Sequence, residues 1–135
     1  MKRNRSYITS AIAIVLAVGI VACGATFGQK SKNMLLTTQE MYDKSWKAFV
    51  ELYETQAKGL DGEILVDKDT FDRGRAIAIV YYDAWMEANY AVEAYMTAPD
   101  STKKEVAEHA LNAMSAAFSR MLGYINEFLP MLRGE

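Results

Sequence analysis

Apolar residues return at steps of three and four along three separate stretches of this chain, and that period restricts the fold to packed helices. In the first stretch the stripe is Tyr42, Trp46, Phe49, Tyr53, Ala57 and Leu60, with Lys44, Lys47, Glu51, Glu54 and Lys58 on the other faces. The second reads Phe71, Gly74, Ala78, Tyr81, Trp85, Ala88, Val92 and Tyr95. The third is best read from its polar residues: Glu105, Glu108, Asn112, Ser115, Ser119 and Asn126 form one narrow stripe in an otherwise apolar segment. A helix with so little polar surface has to bury itself on more than one side. No segment offers the two-residue alternation of a half-buried strand.

Local signals set the expected boundaries. Thr37 with Glu40 fits a capping box and Leu36 with Met41 the accompanying hydrophobic staple, while Gly59 suits a C-terminal cap; these bracket a helix over about 37–58. A second helix is expected over 69–97, opening at Asp69 or Thr70 and closed by Pro99, because proline disfavours helical geometry in the residue before it. The third, about 101–129, opens on Thr102 and Glu105 and ends at Pro130. Ile64-Leu65-Val66, in the first connection, should tuck against one end of the assembly. Short connections between long helices favour an all-α, small antiparallel three-helix bundle over 37–133.

Ahead of it stands a segment of different character. Lys2, Arg3 and Arg5 are followed by an uncharged run from Tyr7 to Ala22, closing on Ile20-Val21-Ala22-Cys23. A basic start, an apolar middle and a small-residue cleavage site describe an export signal, to be set apart from the fold. The closing tetrapeptide resembles the lipobox of bacterial lipoproteins. That resemblance implies removal of residues 1–22 by cleavage between Ala22 and Cys23, diacylglycerol and fatty acid on Cys23, and a mature chain held to a membrane of the bacterial envelope. With Gly24 next rather than an aspartate, it implies the periplasmic face of the outer membrane in a cell with two membranes. The competing reading is an uncleaved anchor, but the strongly apolar part, Ala11 to Ala22, is short against the roughly 20 residues a span requires. Residues 23–36, with Gly28, Gln29, Lys30, Ser31, Lys32 and Asn33, show no apolar period and read as a flexible tether.

Three of the fifteen basic residues and none of the seventeen acids precede Cys23, which leaves the remainder a net charge of −5. Nucleic acid, which requires a basic footprint, is excluded as a partner. The same balance disfavours an electrostatic grip on anionic lipid, so the acyl anchor must hold by itself. Cys23 is the only cysteine, and the thioether that the lipobox resemblance implies would consume it.

Reaction chemistry finds little support. His109 is the only histidine; it follows Glu105 by four residues, whereas a di-iron bundle needs Glu and His three apart on each of two helices. Asp67, Asp69 and Asp72 lack the alternation and the glycine of a calcium loop, and read as helix-start acids favoured by the macrodipole. No serine lies in a nucleophile elbow. Neither metal nor cofactor is expected, and the chain is expected not to be an enzyme.

What remains is aromatic. Tyr42, Trp46, Tyr53, Tyr82 and Trp85, with Phe118 and Leu122 of the third helix, are the candidate surface for a partner or ligand. The expected function is a lipid-anchored, non-catalytic helical interaction module, binding an envelope protein or itself. The alternative is a carrier of a small apolar ligand in an aromatic-lined groove between the first two helices.

Overall fold

A computed structural model describes residues 26–128 of the chain; Cys23, the cleavage position and the rest of the leader lie outside the described residues. Three helices account for most of them: α1 over Phe27–Glu54, α2 over Lys68–Thr97 and α3 over Ser101–Asn126. The order is up, down, up. Phe27 at the start of α1 meets Tyr95 at the end of α2 edge-on, 5.1 Å between ring centres. Tyr53 at the end of α1 stacks on Phe71 at the start of α2, 4.2 Å away. The Tyr124 hydroxyl, late in α3, donates to the Thr70 carbonyl, early in α2, over 2.7 Å. The all-α antiparallel bundle expected from the period is the fold, and α2 and α3 form its most extensive pairing.

α1 departs most from expectation. It starts ten residues before Thr37, so most of the expected tether is helix. Thr26 is its N-cap, accepting from the Gln29 amide. Thr37 caps nothing; its hydroxyl donates back to the Asn33 carbonyl within the helix, 2.8 Å away. The early turns are held by packing. Gly28, Ser31, Leu35 and Thr38 are buried, and a Cβ on Gly28 would lie 2.9 Å from Met96 Cγ. Two of these residues carry hydroxyls, and burial is tolerable because each donates to its own helix: Ser31 to the Phe27 carbonyl, Thr38 to those of Met34 and Leu35.

At its other end α1 stops at Glu54, short of Gly59. Gln56, rather than Gly59, takes the left-handed conformation that closes the helix, with φ 51°. Its amide donates to the Tyr53 carbonyl and that of Ala57 to Leu52, the paired bonds of a Schellman cap. Leu60, expected in the core stripe, therefore falls on a turn and is 91% exposed. Lys58 and Ile64 pair as one antiparallel bridge across that turn, and Val66 tucks fully into the bundle end.

α2 matches its expected span to within a residue at the start. Asp67 caps it, accepting from the Thr70 amide at 2.7 Å, and that bond holds the Asp67 carboxyl below the ordinary carboxylate range. Asp69 lies in the first turn and Asp72 pairs with Lys68, so the three acids serve the helix start. α3 is capped by Asp100, one residue ahead of the helix, rather than by Thr102; its carboxylate accepts from the Lys103 amide at 2.7 Å. It ends at Asn126, four residues before Pro130.

The core is one continuous cluster. Gly74, Ala78, Ala88 and Val92 of α2 are buried with Tyr81, and small residues there let the neighbours approach. Leu111, Met114, Phe118, Met121, Leu122 and Ile125 of α3 fill the space between α1 and α2. Phe49, fully buried, sits where the three helices meet, ringed by Trp46, Phe71, Tyr124 and Phe128 at 5.6–6.1 Å.

Candidate functional site

The aromatic candidates separate into two groups. Tyr42 and Trp46 stack in parallel, Tyr42 leans on Tyr81 at 4.9 Å, and Tyr53 covers Phe71. These rings pack against one another along the α1–α2 seam and line the core. Trp85 is tied to the same seam: its indole N–H donates to the Leu35 carbonyl over 3.0 Å. Phe118 and Leu122 cannot belong to a partner surface, because both are buried, 2% and 3% exposed. Their helix looked overloaded with apolar residues since it is covered from two sides. Of the set only Tyr82 stands out in solvent.

Burial also fixes the polar chemistry of the seam. The Tyr81 hydroxyl lies near Thr38 without reaching hydrogen-bonding geometry, so burial pushes its pKa up to about 12 against the weaker opposing pull of the Thr38 hydroxyl. Thr38 spends its proton on backbone carbonyls, with Met114 Sδ also near at 3.6 Å. Tyr42 and Tyr124 are raised in the same direction, burial again being the leading cause. Phenols held this firmly in the protonated form are poor bases at neutral pH.

An open groove of about 470 Å³ runs between α2 and α3, where Glu87 faces Glu105, Val106 and His109. It is not the aromatic groove between α1 and α2 that the sequence suggested. Two exposed carboxylates and one exposed imidazole line it, and among the described residues no more specific geometry stands there. Among the described residues no group of three or more His, Cys, Asp or Glu side chains is arranged to hold a metal ion. Among the same residues no helix is long and apolar enough to cross a membrane.

The unexplained apolar surface belongs to α2. Ile79 is 52% exposed, Val80 55%, Tyr82 48% and Tyr90 65%. At about 100° per residue, Ile79, Tyr82, half-buried Met86 and Tyr90 share one sector roughly 80° wide, centred about 125° round the helix from the buried stripe of Ala78, Tyr81, Ala88 and Val92. A helix on the outside of a bundle normally presents charge there. α2 therefore carries a second apolar strip, set between its buried face and the charged outer face of Asp83 and Glu87. The period of the buried stripe dominates this segment and hides the second one. By contrast α3, whose apolar surplus called for burial on more than one side, keeps little beyond Val106 exposed among its large apolar residues. Compared with protein-family models, with curated proteins and with solved structures, the chain has no match in any of the three.

Proposed function

We propose that this chain is a lipid-anchored, non-catalytic interaction module of the bacterial envelope. The anchor is diacylglycerol on Cys23, supported by the basic start, the apolar run and Ile20-Val21-Ala22-Cys23. A cell with two membranes carries it on the periplasmic face of the outer one. The observation that carries the binding role is the outward stripe of Ile79, Tyr82 and Tyr90 on α2, since large contiguous apolar exposure marks contact sites. The groove between α1 and α2 required by a ligand carrier is filled by rings packed on rings, so nothing specific favours that alternative.

Two measurements test the reading. A fatty-acid probe fed to cells should label the protein, and the label should vanish in Cys23→Ala. A photo-cross-linking residue at position 79 should give protein adducts in intact cells, while one at position 108 on α3 should give few. Absence of label, together with equal adduct yields at the two positions, overturns it.

A further inference from the structure

The outward face of α2 carries its own complement. Arg75 and Glu93 are exposed and fall in the same angular sector as the apolar stripe, one at each end. Read along the helix the sector opens on Lys68 and Asp72, which pair with each other, then runs Arg75, then Ile79, Tyr82, Met86 and Tyr90, then Glu93. A second copy laid antiparallel, with the two-fold axis near residue 84, places Arg75 opposite Glu93 of the second copy. It sets Ile79 beside Tyr90 and Tyr82 beside Met86, and the two-fold repeats each pairing. We infer that this face docks a second copy of the same chain, α2 against α2, antiparallel and isologous. The inference rests on the anchored-module reading and names its partner.

Charge decides against the competing occupant. A lipid surface rich in anionic headgroups attracts basic segments, whereas Asp83, Glu87 and Glu93 flank this stripe and the chain beyond the leader carries a net −5. Glu93 also contacts Lys32 of its own chain and keeps its side chain 49% exposed, available at the helix edge. Asp83 is the unfavourable element: near the axis it approaches its own copy, and like charges there weaken the pairing. A single helix-on-helix contact along this stripe, about 16 Å from Ile79 to Tyr90, makes a weak dimer in dilute solution. Confinement of both copies to one membrane raises their effective concentration and offsets that weakness.

The anchors are compatible with this geometry. Three residues, Gly24 to Thr26, separate Cys23 from the first residue of α1. Fully extended, that link reaches about 13 Å. With the two-fold along the membrane normal, both copies lie flat and their first helical turns stand at equal height at opposite ends of the pair. Both acyl groups then enter the same bilayer.

The test uses the full chain in its host membranes with one cysteine added near the axis, Asp83→Cys, and a short bis-maleimide cross-linker. We expect a cross-linked species of twice the chain mass, absent from a Glu108→Cys control. Adding Arg75→Glu or Glu93→Arg should lower its yield about tenfold, through loss of two ion pairs and new repulsion. The combined Arg75→Glu/Glu93→Arg chain should restore it. No dimer, or a dimer indifferent to these reversals, overturns the inference. An adduct to a different protein also overturns it, while leaving the interaction-module reading in place. Cross-linking of the parent chain through Cys23 alone means a free thiol, and overturns the anchor together with the membrane geometry built on it.

Discussion

Trp85 donates its indole N–H to the Leu35 carbonyl, 3.0 Å away and fifty residues earlier in the chain. The same carbonyl accepts from the Thr38 hydroxyl at 3.0 Å. One backbone oxygen in the middle of α1 thus joins two helices and satisfies a buried hydroxyl. Trp85→Phe keeps an aromatic ring but deletes the donor and some volume. The loss should be about 2 kcal/mol, one part hydrogen bond and one part cavity. Urea denaturation at neutral pH checks it, with an unchanged slope if only the native state is affected.

Gly74 inverts the ordinary preference for alanine in helices. In an open helix Gly→Ala stabilises by about 1 kcal/mol. Here an added Cβ would lie 2.6 Å from Phe49 Cε1 and 2.8 Å from Cζ, against a ring that is itself fully buried. Gly74→Ala should therefore destabilise by about 2 kcal/mol as Phe49 and the helix are forced apart. Thermal unfolding should show a lower midpoint, where a gain would mean the aromatic cluster repacks freely.

Gln56 calls for the opposite change. It holds φ 51° at the Schellman cap of α1, a conformation that glycine adopts without strain. Gln56→Gly should raise stability by about 0.5–1 kcal/mol. A drop in midpoint would mean the Gln56 side chain contributes more than its backbone costs.

Tyr81 links stability to alkaline pH. Its phenol stands at about 12 in the folded chain against an ordinary value of 10.0, so the folded state prefers the neutral form. That contribution is complete below pH 10 and is lost as pH rises through 12, with Tyr42 and Tyr124 acting in the same sense. Tyr81→Phe should flatten the fall in stability across this window. At neutral pH it should be neutral or stabilising by about 1 kcal/mol, because the hydroxyl it removes is buried and makes no hydrogen bond. A stability-against-pH series of both chains decides, and an unchanged slope refutes the assignment.

Much of the fold was legible because α2 and α3 place large apolar residues on their seams. All eight seam positions of α2 face inward, buried or half-buried. The first ten residues of α1 were not legible. Its early seam is Gly28, Ser31, Leu35 and Thr38, small or hydroxylic groups that look like linker until their internal hydrogen bonds and the close approach of Met96 are seen. Gly59 misled for a related reason: the left-handed turn fell on Gln56, where the Gln56 and Ala57 amides bond back to the Tyr53 and Leu52 carbonyls. The candidate surface was legible only at Tyr82. The rest of it required knowing which side of α2 the core had already taken.

The turn between α1 and α2 offers a handle on all of this. Gly59 and Glu63 are joined by a backbone bond of 2.9 Å, and Gly62 turns the chain at φ 81°. An epitope spliced between Asp61 and Gly62 would enter where the Lys58–Ile64 bridge already clasps the chain. The splice would sit about 42 Å from the start of α1, at the opposite end of the helix. Antibody access to it in intact and permeabilised cells would report which compartment the rod occupies, with every seam left untouched.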